Sequence, residues 1–180
     1  MLSISNLLSI FRIFLIIPIA ILLNRGNGEE YTLVFFLILI AALADYLDGY
    51  FARKFKQVSE LGKVLDPLAD KLLICVMAIL LVIRRDFPLW YASLIIGRDL
   101  IIGFLGSYII RKRKFTAQSN IMGKITANVI LSSAAVYVID WDFMKLPIVY
   151  IGAFLILLSL ISYGSLFIKL LKTQTEENNI

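Results

Sequence analysis

Histidine is absent and cysteine occurs once, at Cys75, so the nitrogen and sulfur donors of an ordinary zinc site are missing. A single thiol forms no intrachain disulfide, and one set inside an apolar stretch says nothing about redox compartment. Charge is scarce: 17% of residues carry it, against 60% that are hydrophobic. A soluble domain is about 45–50% apolar, so with a mean hydropathy of +0.88 a soluble globule is excluded. There is no internal repeat and no low-complexity segment. What the chain does have is a succession of apolar runs, each close to the roughly 20 residues that span a bilayer. It reads as a polytopic membrane protein. The first run lacks a basic leader and an A-x-A-like cleavage site and reads as a retained membrane segment.

Hydropathy and chain breakers predict an all-α fold of about six transmembrane helices. They fall near 7–23, 31–53, 66–83, 88–110, 121–139 and 147–171, within one domain over residues 1–172. Residues 173–180 form a polar tail expected to fray. "NRGNGEE" is a turn by its Gly and Asn content, and Pro88 and Pro147 suit the first turn of a helix, where the missing N–H is harmless. The net charge of +5 would suggest nucleic acid in a soluble protein. Here the basic residues gather in short loops between apolar runs, which points to membrane topology and no nucleic acid. Lys54, Lys56 and Lys63, then Arg111, Lys112, Arg113, Lys114 and Lys124, then Lys169 and Lys172, lie on one side. Arg25, Arg84, Arg85 and Lys145 lie on the other. The richer side is read as cytoplasmic, with both termini. Arg84 and Arg85 run against that count.

The stretch "DYLDGYFARKFKQVSELGKVLDPLADK", residues 45 to 71, breaks the apolar pattern. Asp45 and Asp48 are three apart near the end of the second helix. Asp66 and Asp70 are four apart at the start of the third. Each pair shares a helix face, and a loop of about a dozen residues lets the helices run antiparallel and bring the pairs together. Four carboxylates at a membrane surface make a hard, oxygen-rich site suited to Mg²⁺ or Mn²⁺. The plainer reading has Asp66 capping a helix and Asp45 and Asp48 paired with nearby Lys and Arg. It leaves the grouping unexplained, because an intramembrane carboxylate costs roughly 2–3 kcal/mol uncompensated. Gly49 and Ala52 allow close approach of a ligand or of another helix. Arg53 is placed to clamp a phosphate or to snorkel to headgroups. Gly62 suits the turn before the third helix.

In order, these residues read D-x2-D-G-x2-A-R-x8-G-x3-D-x3-D, which resembles the signature of the CDP-alcohol phosphatidyltransferase family. The resemblance extends to length and six-helix hydropathy. It implies transfer of the phosphatidyl group of CDP-diacylglycerol to a small alcohol with release of CMP, in a polar cavity facing the cytoplasm. Asp45, Asp48, Asp66 and Asp70 would hold two ions, Mg²⁺ or Mn²⁺, and Asp70 would also take the acceptor proton. Gly49, Ala52 and Arg53 would line the nucleotide pocket, with Gly62 and Ser59 closing over it. "NLLSIFRI" resembles the N-L-x-T-x-x-R entry of the branch that uses glycerol 3-phosphate. Asn6, Ser9 and Arg12 stand at its matching positions, with Ser for Thr. Arg12 inside an apolar run then meets a nucleotide phosphate or snorkels to the interface. Membrane lipid, a homodimer and the bacterial inner membrane are the expected surroundings.

Arg98, mid-run in "LIIGRDLIIGF" beside Asp99, is either a structural pair with a carboxylate or the ligand of an anionic acceptor. Lys124, with Arg111 or Arg113, would complete a phosphate pocket, although a basic run such as 111–114 ordinarily meets anionic lipid. A cationic pocket favours glycerol 3-phosphate. "MGKITAN" departs from the G-K-x-K-T pattern of that branch, however, and "GRD" stands where it often has "ARE". Phosphatidylglycerol, the acceptor of the cardiolipin-forming branch, is the alternative. A cation carrier is the reading from a different class, and it calls for carboxylates spread across the membrane depth.

Overall fold

A computed structural model describes residues 4–26, 28–55, 62–113 and 121–177. Among them are six α-helices and no strand: α1 Ile4–Arg25, α2 Gly28–Phe55, α3 Gly62–Arg84, α4 Leu89–Arg113, α5 Ile121–Val138 and α6 Asp142–Glu177. Among the described residues, four stretches are long and apolar enough to cross a bilayer: Leu7–Arg25, Gly28–Leu47, Ile121–Val138 and Asp142–Ile168. The protein is an all-α integral membrane protein.

Two compact units divide the chain. The first holds residues 1–88 and 134–142, the second 89–133 and 143–180, so α5 contributes to both. In the first unit α1 packs against both α2 and α3. Its buried stripe is Ser9, Arg12, Leu15, Ile19 and Leu23, while Leu7, Phe11, Phe14, Ile17 and Ile21 are exposed. The helix thus turns Ser9 and Arg12 inward together with three apolar side chains and presents an apolar face outward, the arrangement a lipid solvent favours. Arg12 of α1 meets Asp70 of α3, and Asn24 meets Arg84 about 20 Å further along each helix at 1.5 Å per residue. The two helices therefore run parallel. Arg12 also meets Asp45 late in α2, so α2 runs against them.

The far end of this unit is closed by arginine. Arg85 donates to the carbonyl oxygens of Tyr137 and Val138, each at 3.0 Å, pairs with Asp140 at 3.4 Å and lies 4.1 Å from the centroid of the Tyr31 ring. It thereby satisfies carbonyls that a helix C-terminus leaves orphaned. Asp140, with φ of 60°, takes the left-handed position at the end of α5. The Trp141 N–H reaches the Val136 carbonyl (3.1 Å) and the Asp140 N–H the Tyr137 carbonyl (3.4 Å), a Schellman closure. Arg84 donates to the Asn24 side-chain oxygen. The two arginines that opposed the loop-charge count are held by helix ends.

In the second unit Tyr91 of α4 is fully buried against α6. A methyl group at Gly152 would clash with the Tyr91 hydroxyl and lie 2.8 Å from its Cζ. Gly152→Ala is expected to cost about 1–3 kcal/mol as overpacking of a rigid ring, read as a lower Tm in detergent. Adding Tyr91→Phe should restore part of the loss by removing the colliding oxygen. Equal Tm for Gly152→Ala and the parent would show that the ring moves aside freely.

Three expectations change here. Pro147 lies inside α6 and not in its first turn, because the helix starts at Asp142, whose carboxylate suits the N-terminal end of the dipole. The last helix does not end near residue 171: α6 continues through Glu177. Gly62 opens α3 where a preceding turn was expected, so Asp66 stands beyond the first turn of the helix.

Candidate active site

The centre of the first unit is a buried cation with two carboxylates above it. Arg12 is 1% exposed, whereas Asp45 is 60% and Asp70 45% exposed. The Arg12 Nη1 donates to Asp45 Oδ1 at 2.8 Å and also to Asp70 Oδ1. Each element contributes for a local reason. Arg12 falls three residues after Ser9 and three before Leu15 on the inward stripe of α1. Asp45 directly follows Ala44, the last member of the buried series Val34, Ile38, Ala41 and Ala44 of α2. Asp70 adjoins Ala69, which opens the buried series Ala69, Leu73, Met77 and Leu81 of α3. The small residues Ala44 and Ala69 let the backbones of α2 and α3 come close to α1.

Arg12 therefore neither snorkels nor stands alone in an apolar run; its charge is offset by carboxylates from two other helices. Such pairing makes a buried guanidinium tolerable, since an uncompensated one is expensive. The partners are 33 and 58 residues away in sequence.

Asp48, Gly49, Ala52 and Arg53 lie on α2, and Asp66 on α3, between residues whose helical backbone is described; Gly62 begins α3 and Asn6 belongs to the first turn of α1. Ser59 lies outside the described residues. Ser9 is buried beside Arg12 on α1. Among described side chains, Asp45 and Asp70 are the carboxylates brought together, and their convergence on a cation shows that this pocket of oxygens accommodates positive charge. That donor chemistry fits a hard divalent ion.

Among the described side chains, the other buried arginine lies in the second unit. Arg98 donates from Nη1 to Asp99 Oδ1 at 2.6 Å, and from Nη2 to the Gly123 carbonyl and to Ser159 Oγ, both at 3.3 Å. Its carboxylate partner is thus its own neighbour on α4, not one on another helix. The Arg98 Nε is buried with no hydrogen-bond partner. Ser159 was not singled out in the sequence; its i, i+3 and i, i+7 relation to the buried Ile156 and to Gly152 on α6 was the available signal. Lys124 follows Gly123 in the first turn of α5 and is exposed. Arg111 and Arg113 belong to the last turn of α4.

The sequence model of the CDP-alcohol phosphatidyltransferase family matches residues 2–163. The chain belongs to that family, and it is an enzyme of that class. It is 34% identical over 171 residues to the CDP-diacylglycerol–glycerol-3-phosphate 3-phosphatidyltransferase of Aquifex aeolicus, covering 89% of this chain and 93% of that one. The protein of the same name from Mycoplasma genitalium is 34% identical over 139 residues, 68% of this chain and 58% of its own. A cardiolipin synthase (CMP-forming)/mitochondrial hydrolase fusion protein of Schizosaccharomyces pombe is 42% identical over 107 residues, 59% of this chain but 18% of its own length. Members of the family depend on divalent metal ions.

Proposed function

We propose that this enzyme transfers the phosphatidyl group of CDP-diacylglycerol to glycerol 3-phosphate, giving phosphatidylglycerophosphate and CMP. The observation that carries this reading is the meeting of Asp45 and Asp70 across α2 and α3, the first and last carboxylates of the family signature. The near full-length similarity to a protein named for the glycerol 3-phosphate reaction supports the choice of acceptor.

Asp45, Asp48, Asp66 and Asp70 would hold two ions, Mg²⁺ or Mn²⁺. Bound there, such ions neutralise the diphosphate and stabilise the departing CMP oxygen. The protein does the rest. Gly49, Ala52 and Gly62 leave room for the nucleotide, with Ser59 closing over it. Arg53, Asn6, Ser9 and Arg12 bind and orient it. Asp70 takes the proton of the acceptor hydroxyl as that oxygen bonds to the phosphorus attached to diacylglycerol. The phosphoanhydride bond to CMP breaks in the same displacement. The acyl chains remain in the bilayer, and the cavity opens to the cytoplasm of a bacterial cell, on the side of both termini. The loop-charge count supports this orientation once Arg84 and Arg85 are assigned to helix ends. The working unit is a homodimer.

Arg98, Lys124, Arg111 and Arg113 are the cations for the acceptor phosphate; the partnerless Nε of Arg98 supports its part. Arg98→Ala should raise the KM for glycerol 3-phosphate on the order of ten- to a hundredfold, the value of one charge-assisted contact at about 1.5–3 kcal/mol. The KM for CDP-diacylglycerol should move much less. An unchanged acceptor KM removes Arg98 from the site, and thermal unfolding separates this effect from the loss of its ties to Gly123 and Ser159.

The similarity to the cardiolipin synthase region makes phosphatidylglycerol the second acceptor to test. Purified enzyme is given each acceptor separately, and the lipid formed is identified. Phosphatidylglycerophosphate is the expected product. Cardiolipin made from phosphatidylglycerol, with glycerol 3-phosphate inert, would reassign the acceptor and leave the family unchanged.

A further inference from the structure

The Arg12 contact carries more than a substrate-binding role. Its Nη1 is bonded to two carboxylates on two helices at once, and the side chain is fully enclosed. Asp45 and Asp70 are both about half exposed, whereas the cation they share is buried. We propose that Arg12 is the built-in counter-cation of the carboxylate centre. It holds Asp45 and Asp70 in position while the protein carries no divalent ion, and it opposes ion binding until those carboxylates are released to the metal. The inference rests on the metal reading of the proposed function and adds a positioning residue to it.

The argument is electrostatic. Among Arg12, Asp45 and Asp70 the formal charge is −1; without Arg12 it is −2, with two carboxylates from separate helices facing one another. Removing the guanidinium therefore has two opposite effects. The metal-free protein loses the tie between α1, α2 and α3, and like charges push its ends apart. An incoming divalent ion, in contrast, meets a more negative centre and has no resident cation to displace. Stability without metal falls and metal affinity rises. A residue that only contacts the nucleotide phosphate produces neither effect, and one that only packs the helices lowers stability equally in both states.

The test uses the full chain in detergent, with Mn²⁺ alone as the probe and no substrate present. Wild type, Arg12→Met and Arg12→Lys are compared by thermal unfolding in chelator and in saturating Mn²⁺. Mn²⁺ affinity is taken from the paramagnetic signal of free ion. Arg12→Met is expected to unfold at a lower temperature in chelator, to bind Mn²⁺ roughly tenfold more tightly, a coupling of ordinary size, and to gain more in Tm from Mn²⁺ than wild type. Arg12→Lys keeps the charge but loses the planar fork; it should bind Mn²⁺ close to wild type, and it serves if the Met variant does not fold. Unchanged or weaker Mn²⁺ binding by Arg12→Met overturns the proposal, as does an equal fall in Tm with and without the ion. If wild type itself binds no Mn²⁺, the metal reading falls and this inference with it.

Discussion

Asp70→Asn is expected to lower turnover by roughly 10²–10⁴-fold, the usual contribution of a positioned general base, while CDP-diacylglycerol still binds. The substitution is close to isosteric. An amide oxygen can still accept a hydrogen bond from Arg12, which donates to Asp70 Oδ1 here, so the tie between α1 and α3 is largely retained. What is lost is the negative charge and the place for a proton. The acceptor hydroxyl then has no basic group as its oxygen approaches phosphorus. The measurement is CMP release with each substrate varied in turn. The change should lie in kcat, with the KM for CDP-diacylglycerol within a few-fold of the parent. Near wild-type turnover would take Asp70 out of the chemistry, and a large rise in the KM for CDP-diacylglycerol would make it chiefly a binding group.

The parts of this arrangement that were legible in the sequence are those set by local pattern. Six apolar runs gave six helices because a bilayer allows few other solutions for a backbone with its own hydrogen bonds to make. The Asp45 and Asp70 convergence followed from i, i+3 and i, i+4 spacing on two helices joined by a short loop. The partners of Arg12 were not legible, because an arginine in an apolar run has several ways of meeting its cost, and they lie 33 and 58 residues away. A signal did exist: Ser9 and Arg12 continue the spacing of Leu15, Ile19 and Leu23, so these two polar residues fall on the inward face of α1. The helix is apolar on both sides otherwise, and amphipathicity of the soluble kind could not select that face. Arg84 and Arg85 ran against the charge count, and their contacts were hidden for a related reason. Their partners are a side chain and carbonyls more than 50 residues away, and topology rules count charges without seeing them paired. Similarly, hydropathy ended the last helix at 171, whereas main-chain hydrogen bonding carries α6 through polar residues to Glu177.

Removing metal is expected to abolish activity altogether, with Mg²⁺ or Mn²⁺ restoring it. The diphosphate of CDP-diacylglycerol brings negative charge to a centre already occupied by acidic groups, and one buried guanidinium is too little to offset it. Asp45→Asn and Asp66→Asn should each weaken Mn²⁺ binding by more than the roughly 10–100-fold typical of losing an outer-sphere partner, and turnover should fall with it. Asp45→Asn is the sharper probe, since its oxygen accepts from Arg12 at 2.8 Å and a neutral amide keeps that contact while surrendering most of its value as a metal ligand. The same assay decides against a cation carrier. A carrier would move ions across proteoliposomes and release no CMP, whereas a transferase turns over CDP-diacylglycerol with no ion gradient at all. Full activity in excess chelator would end the metal reading. Mn²⁺ affinity unchanged in both variants, with turnover lost, would keep the carboxylates in the chemistry but place the ions elsewhere. The expected result couples the two: affinity and turnover fall together, and added Mn²⁺ recovers part of the turnover in proportion to the occupancy it restores.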